Sequence, residues 1–87
     1  MADDKQAQIE AGEQAKLLLE NPLLVKAFSE IMNSTYNDWL STDINDSEGR
    51  ENLFHRQVAI LQVKNKLVQI VENGKILKKE QEGVNNG

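Results

Sequence analysis

Apolar positions recur along this chain at helical spacing, in three runs parted by two breaks. The most extended run is Ser47 to Gly74. Its apolar residues are Leu53, Phe54, Val58, Ile60, Leu61, Val63, Leu67, Val68, Ile70 and Val71. At about 100° per residue they cover well over half of a helical circumference, where one neighbouring helix needs only about a 100° stripe. Two seams emerge. One holds Ile60, Val63, Leu67 and Ile70; the other holds Phe54, Val58, Leu61 and Val68, with Gln57 and Lys64 falling between them. Glu51, His55, Gln62, Lys66, Gln69 and Asn73 form a narrow polar strip. Two readings stand. The helix is buried within its own small domain, or one seam serves the chain and the other a second molecule.

The ends of this helix carry local signals. Asp46 or Ser47 supplies a side-chain oxygen for the free N–H groups of the first turn. Glu48 and Glu51 lie where the helix dipole favours negative charge. Gly74 is the expected stop at about residue 73, because glycine readily takes the left-handed backbone that closes a helix.

Upstream, residues 5–20 read as a first helix capped by Asp3 or Asp4, with Ala11, Ala15, Leu18 and Leu19 as a short stripe. Gly12 weakens it by about 1 kcal/mol relative to alanine, so its first dozen residues are expected to fray without a partner. Asn21-Pro22 is a sharp break. Proline disfavours a helical residue before it and suits the first position of a new helix, with Asn21 as cap. A second helix follows over 22–40, with a stripe of Leu24, Ala27, Phe28, Ile31, Met32, Thr35, Tyr36, Trp39 and Leu40. The polar connector STDINDSE at 41–48 suits an antiparallel turn, with Ile44 expected beneath it. Residues 75–80 add a short basic amphipathic piece, and about 80–87 reads as a flexible tail. The expected fold is therefore all-α: one domain over 1–87, an antiparallel hairpin plus an N-terminal helix, completed by oligomerisation or partner docking.

Composition narrows the function. A chain of 87 residues is marginal as a lone domain, which favours self-association. No apolar run approaches the roughly 18 residues of a membrane span. The acidic MADDKQAQIEAGEQ has no apolar segment of the signal-peptide kind. With no cysteine, thiolate metal sites and nucleophiles are excluded. The lone histidine, His55, faces Glu51 one turn away, and two ligands are too few for a structural zinc. The serines have no triad partners, the glycines form no phosphate loop, and Asp43–Glu48 lacks calcium-loop spacing. No enzyme activity, cofactor or small-molecule substrate is expected.

Charge is uneven. Residues 1–48 hold 10 acids and 3 bases, a net of −7, whereas 49–87 hold 4 acids and 7 bases, a net of +3. The asymmetry pairs the two halves within the fold, or one subunit with the next. Lys75, Lys78 and Lys79 form a compact basic patch, the candidate contact for nucleic-acid phosphates.

LLENPLLVKAF at 18–28, the pair Tyr36 and Trp39, DSEGRENLF at 46–54 and VENGKIL at 71–77 together resemble small helical proteins encoded among the head and DNA-packaging genes of tailed bacteriophages. The likeness covers roughly residues 11–79 and rests on the order and spacing of caps and stripes. It implies a setting in a virion or in host cytoplasm, as a virion structural or assembly protein. Such a protein would form a homo-oligomer or dock on a larger phage protein. The candidate anchors are Phe54, Leu61 and Val68 on one seam, and Ile60, Leu67 and Ile70 on the other. The resemblance equally embraces small terminase subunits, which implies DNA binding, although the chain lacks a separate N-terminal DNA-binding domain. A small regulator of a host protein is a third reading.

Overall fold

The computed structural model describes residues 2–86, with side chains placed for 4–83. The described residues form three helices: α1 (Ala2–Glu20), α2 (Pro22–Leu40) and α3 (Ser47–Asn86). The backbone of each break follows from side-chain capping. Asn21 sits in extended geometry (φ −67°, ψ 121°), and its Oδ1 accepts from the N–H groups of Leu23 (2.9 Å) and Leu24 (3.4 Å). Pro22 then opens α2, where its missing N–H costs nothing. At the second break Thr42 Oγ1 donates to the Trp39 carbonyl (2.6 Å), and the Asn45 N–H donates to Asp43 Oδ1 (2.8 Å). Asp46 caps α3, its Oδ1 accepting from the Gly49 N–H at 2.9 Å. The capping carboxylate folds over Gly49 so closely that a Cβ there would collide with it.

Both arms run antiparallel to α3. Along α2, Arg56 pairs with Asp38 (3.5 Å), and the Arg50 guanidinium lies 4.1 Å from the centre of the Trp39 ring. Along α1, Lys5 pairs with Glu80 (3.6 Å) and Lys78 with Glu13 (3.6 Å). So α2 covers the N-terminal half of α3 and α1 covers its C-terminal half. The two short helices lie end to end along one long helix. The longest dimension, 62 Å, is that of α3 itself, since 40 residues at 1.5 Å each span about 60 Å.

Several expectations need correction. α3 does not stop at Gly74. It runs to Asn86, so most of the expected tail is helical, and Gly87 lies outside the described residues. Gly74 has no positive φ and is buried. Its role is close approach. A Cβ on Gly12 would lie 3.0 Å from the Gly74 Cα and 3.2 Å from the Ile70 carbonyl oxygen; one on Gly74 would lie 3.0 Å from the Gly12 Cα. Two glycines thus let α1 and α3 touch backbone to backbone.

α1 begins at Ala2, ahead of its expected caps. Its buried line is Ile9, Gly12 and Ala15 with half-buried Leu19, whereas Ala11 and Leu18 are exposed. The contact with α3 explains the rotation of this stripe: the residue without a side chain marks its centre. Ile44 does not tuck beneath the turn; it is 82% exposed, on a connector whose backbone is tied locally by the cap bonds of Asp43 and Asp46.

The core is thin. Among the described residues Ile9, Ala15 and Val71 are the buried apolar side chains, Thr35 is the buried polar one, and no large side chain is fully enclosed. Thr35 satisfies its hydroxyl by donating to the Ile31 carbonyl (2.9 Å).

Gly74→Val should lower stability by about 2 kcal/mol, because a branched side chain must part the two backbones. Gly83 has nothing within 4 Å of its would-be Cβ, so Gly83→Ala should raise stability, by at most about 1 kcal/mol, through helix propensity. Urea unfolding followed by circular dichroism measures both. Equal effects at the two positions would contradict the close-contact role of Gly74.

Candidate functional site: the outward stripe of the long helix

The azimuth of each α3 side chain is set by what α1 and α2 cover. In the N-terminal half the covered line is Arg50, Leu53, Gln57 and Ile60; in the C-terminal half it is Leu67, Ile70, Val71, Gly74 and Leu77. Ile60, Leu67 and Ile70 are accordingly half-buried against the chain's own arms. Phe54, Leu61 and Val68 are 63%, 38% and 40% exposed. The two sets of candidate anchors therefore divide: the first closes the hairpin and the second faces outward. Val63 departs from its seam and is 55% exposed, lying with Ala59, Gln62 and Lys66 on a shallow surface around Leu67.

Phe54, Leu61 and Val68 are seven residues apart, so they form a straight stripe at heptad spacing. Half-buried Val58 and exposed Asn65 fill the alternate positions of the same stripe. Beside it runs an open groove between α2 and α3. One stretch, of about 300 Å³, is lined by Leu24, Val25, Phe28, Met32 and Lys64, with Leu19 at its end. The next is lined by Thr35, Tyr36, Trp39 and Gln57. Val25, Tyr36 and Trp39 are 51%, 59% and 38% exposed. For antiparallel helices, side chains at the same angular offset from the contact line emerge on the same side. The α2 residues Val25, Met32 and Tyr36 therefore share a face with Leu61 and Val68 of α3.

Gln57 was legible only as a polar residue between two apolar seams. In the structure it points into the hairpin, and its Oε1 is buried with no hydrogen-bond partner. Nor does the sequence pattern reveal the Arg50–Trp39 contact, which ties the first turn of α3 to the last of α2. A guanidinium over an indole face contributes about 0.5–1 kcal/mol at an exposed site.

The basic patch is partly neutralised within the chain. Lys75 lies 3.8 Å from Glu72 and Lys78 lies 3.6 Å from Glu13. All three lysines are exposed. Lys75 and Lys78 join Lys16 and Glu13 around the cleft over the Gly12–Gly74 crossing. His55 Nε2 lies 3.5 Å from Glu51 Oε1, both well exposed. Among the described residues no group of three or more metal-ligating side chains converges, and no helix is long and apolar enough to cross a membrane.

No protein-family model, curated protein or solved structure gives a significant match to the chain.

Replacing Lys75, Lys78 and Lys79 together by Gln should leave the unfolding free energy within about 1 kcal/mol of wild type, since exposed ion pairs contribute about 0–1 kcal/mol each. A larger loss would mean that the Glu13–Lys78 pair helps hold α1 on α3 well beyond its exposed geometry.

Proposed function

We propose that this chain is a non-enzymatic helical assembly protein of a tailed-bacteriophage particle. It acts by packing the outward face of its hairpin against another helical surface. The observation that carries the reading is the exposure of Phe54, Leu61 and Val68 on one straight stripe, continuous with Val25, Tyr36 and Trp39. Burying such a stripe is favourable at about 25 cal/mol per Å² of apolar surface, and its aromatic members suit interface anchors. The phage setting comes from the resemblance of residues 11–79, which implies the virion or host cytoplasm.

A second reading, a compact DNA-packaging factor, draws on the clustering of Lys75, Lys78 and Lys79 at the far end of α3. The ion pairs of Lys75 and Lys78 with Glu72 and Glu13 reduce the charge available to phosphates. Phosphate binding would show as a steep fall of DNA affinity with salt. Removing the three lysines should then flatten that slope by about 0.9 for each phosphate they neutralise.

Quantitative mass spectrometry of finished particles and of assembly intermediates tests the first reading: the protein should be present in one or both at reproducible copy number. Leu61→Asp should keep its helical circular dichroism, because position 61 faces outward, yet lose incorporation. Absence of the wild-type chain from both fractions, or normal incorporation of Leu61→Asp, would overturn the reading.

A further inference from the structure

We propose that the outward stripe is occupied by a second copy of this chain, laid antiparallel across a two-fold axis near Leu61. The inference deepens the docking role proposed above and rests on it. Three observations carry it.

The first is area. The chain exposes 6811 Å², where a compact chain of its mass exposes about 5,200 Å². Its radius of gyration is 18.6 Å, against about 12 Å for a compact domain of this length. The surplus of about 1,600 Å² exceeds the roughly 800 Å² that each partner contributes to a standard interface. A second hairpin of the same length supplies a matching surface.

The second is the symmetry of the stripe. Its apolar members centre on Leu61, with Phe54 seven residues before and Val68 seven after. A two-fold axis at Leu61 sets Leu61 against Leu61 and Phe54 of each copy against Val68 of the other. Such an interface is self-complementary and closes at two subunits. Both α2–α3 grooves then receive side chains from the other hairpin.

The third is charge. The stripe is flanked by Glu51 at its N-terminal end and by Lys75 and Lys79 at its C-terminal end. A parallel copy would bring these lysines onto their own counterparts. An antiparallel copy brings Glu51, which lies 3.5 Å from His55 of its own chain, towards Lys75, which lies 3.8 Å from its own Glu72. Like charges facing each other penalise the wrong arrangement more than opposite charges reward the right one, so the pattern selects orientation.

The absence of cysteine makes single-cysteine variants of the full chain clean probes. Under mild oxidation Leu61→Cys should form a covalent dimer. Phe54→Cys and Val68→Cys should each stay largely uncoupled alone and give a mixed disulfide when combined, since cross-linking requires Cβ atoms within about 4.5 Å. Sedimentation equilibrium of the wild type should give twice the chain mass. Glu51→Lys and Lys75→Glu should each weaken the dimer roughly fivefold, as expected for rim ion pairs made twice, and the double variant should recover most of the loss. Circular dichroism verifies that each variant remains helical. A single-chain mass, a larger closed mass, or self-coupling of Phe54→Cys and Val68→Cys would overturn the proposal. A monomer that still enters particles would remove only the second copy and leave the docking surface standing. A dimer that never enters particles would remove the phage setting and leave the dimer.

Discussion

The fold depends on two backbones touching where neither has a side chain. Gly12 and Gly74 bring α1 and α3 together at van der Waals distance. On either side of that point Ile9, Ala15 and Val71 find the only apolar burial of any depth among the described residues. Each glycine weakens its own helix by about 1 kcal/mol relative to alanine. The close crossing offsets that cost by allowing dispersion contacts between whole turns of backbone rather than between side-chain tips. It also gives α3 a reason to continue. Beyond Gly74 the helix has α1 to lie on, with Lys5–Glu80 near its far end.

From this contact follows the distribution of surface. A long helix with a wide apolar arc needs cover from more than one neighbour. Here the two neighbours are consecutive, one per half, rather than side by side. A single line of α3 is thus covered along its length, and the flank carrying Phe54, Leu61 and Val68 stays open. The same arrangement makes the molecule long and thin, with little interior. A chain that folds this way holds its hairpin by caps at Asn21 and Asp46, the Arg50–Trp39 contact and the glycine crossing. The interior and the exposed stripe are therefore two sides of one arc.

Charge follows the same division. The acidic arm α1–α2 and the more basic α3 meet in Glu13–Lys78 and Asp38–Arg56, so part of the asymmetry is used within the chain. These pairs are exposed and individually weak. They bias which helices approach and in which direction more than they hold them.

Local chemistry alone determined the punctuation. Asn21-Pro22 had to break the first arm, because proline and its cap leave few backbone choices. The oxygen-bearing side chains at 42–46 had to end one helix and cap the next. The helical period of the three runs followed from side-chain spacing, so the all-α hairpin was legible without coordinates. The role of Gly74 was not. A glycine followed by lysine satisfies the requirements of a helix stop and of a helix-interior contact equally well. The choice between them lies with Gly12, far away in sequence, whose missing side chain reads locally as a weakness. The azimuth of the long helix was hidden for the same reason. Its arc offered two seams of similar apolarity, and only the arrival of α1 and α2 on one line decided that Ile60, Leu67 and Ile70 close the hairpin while Phe54, Leu61 and Val68 face outward. Capping and periodicity are short-range and can be read residue by residue; the sharing of one helix between two partners is a property of the packed chain.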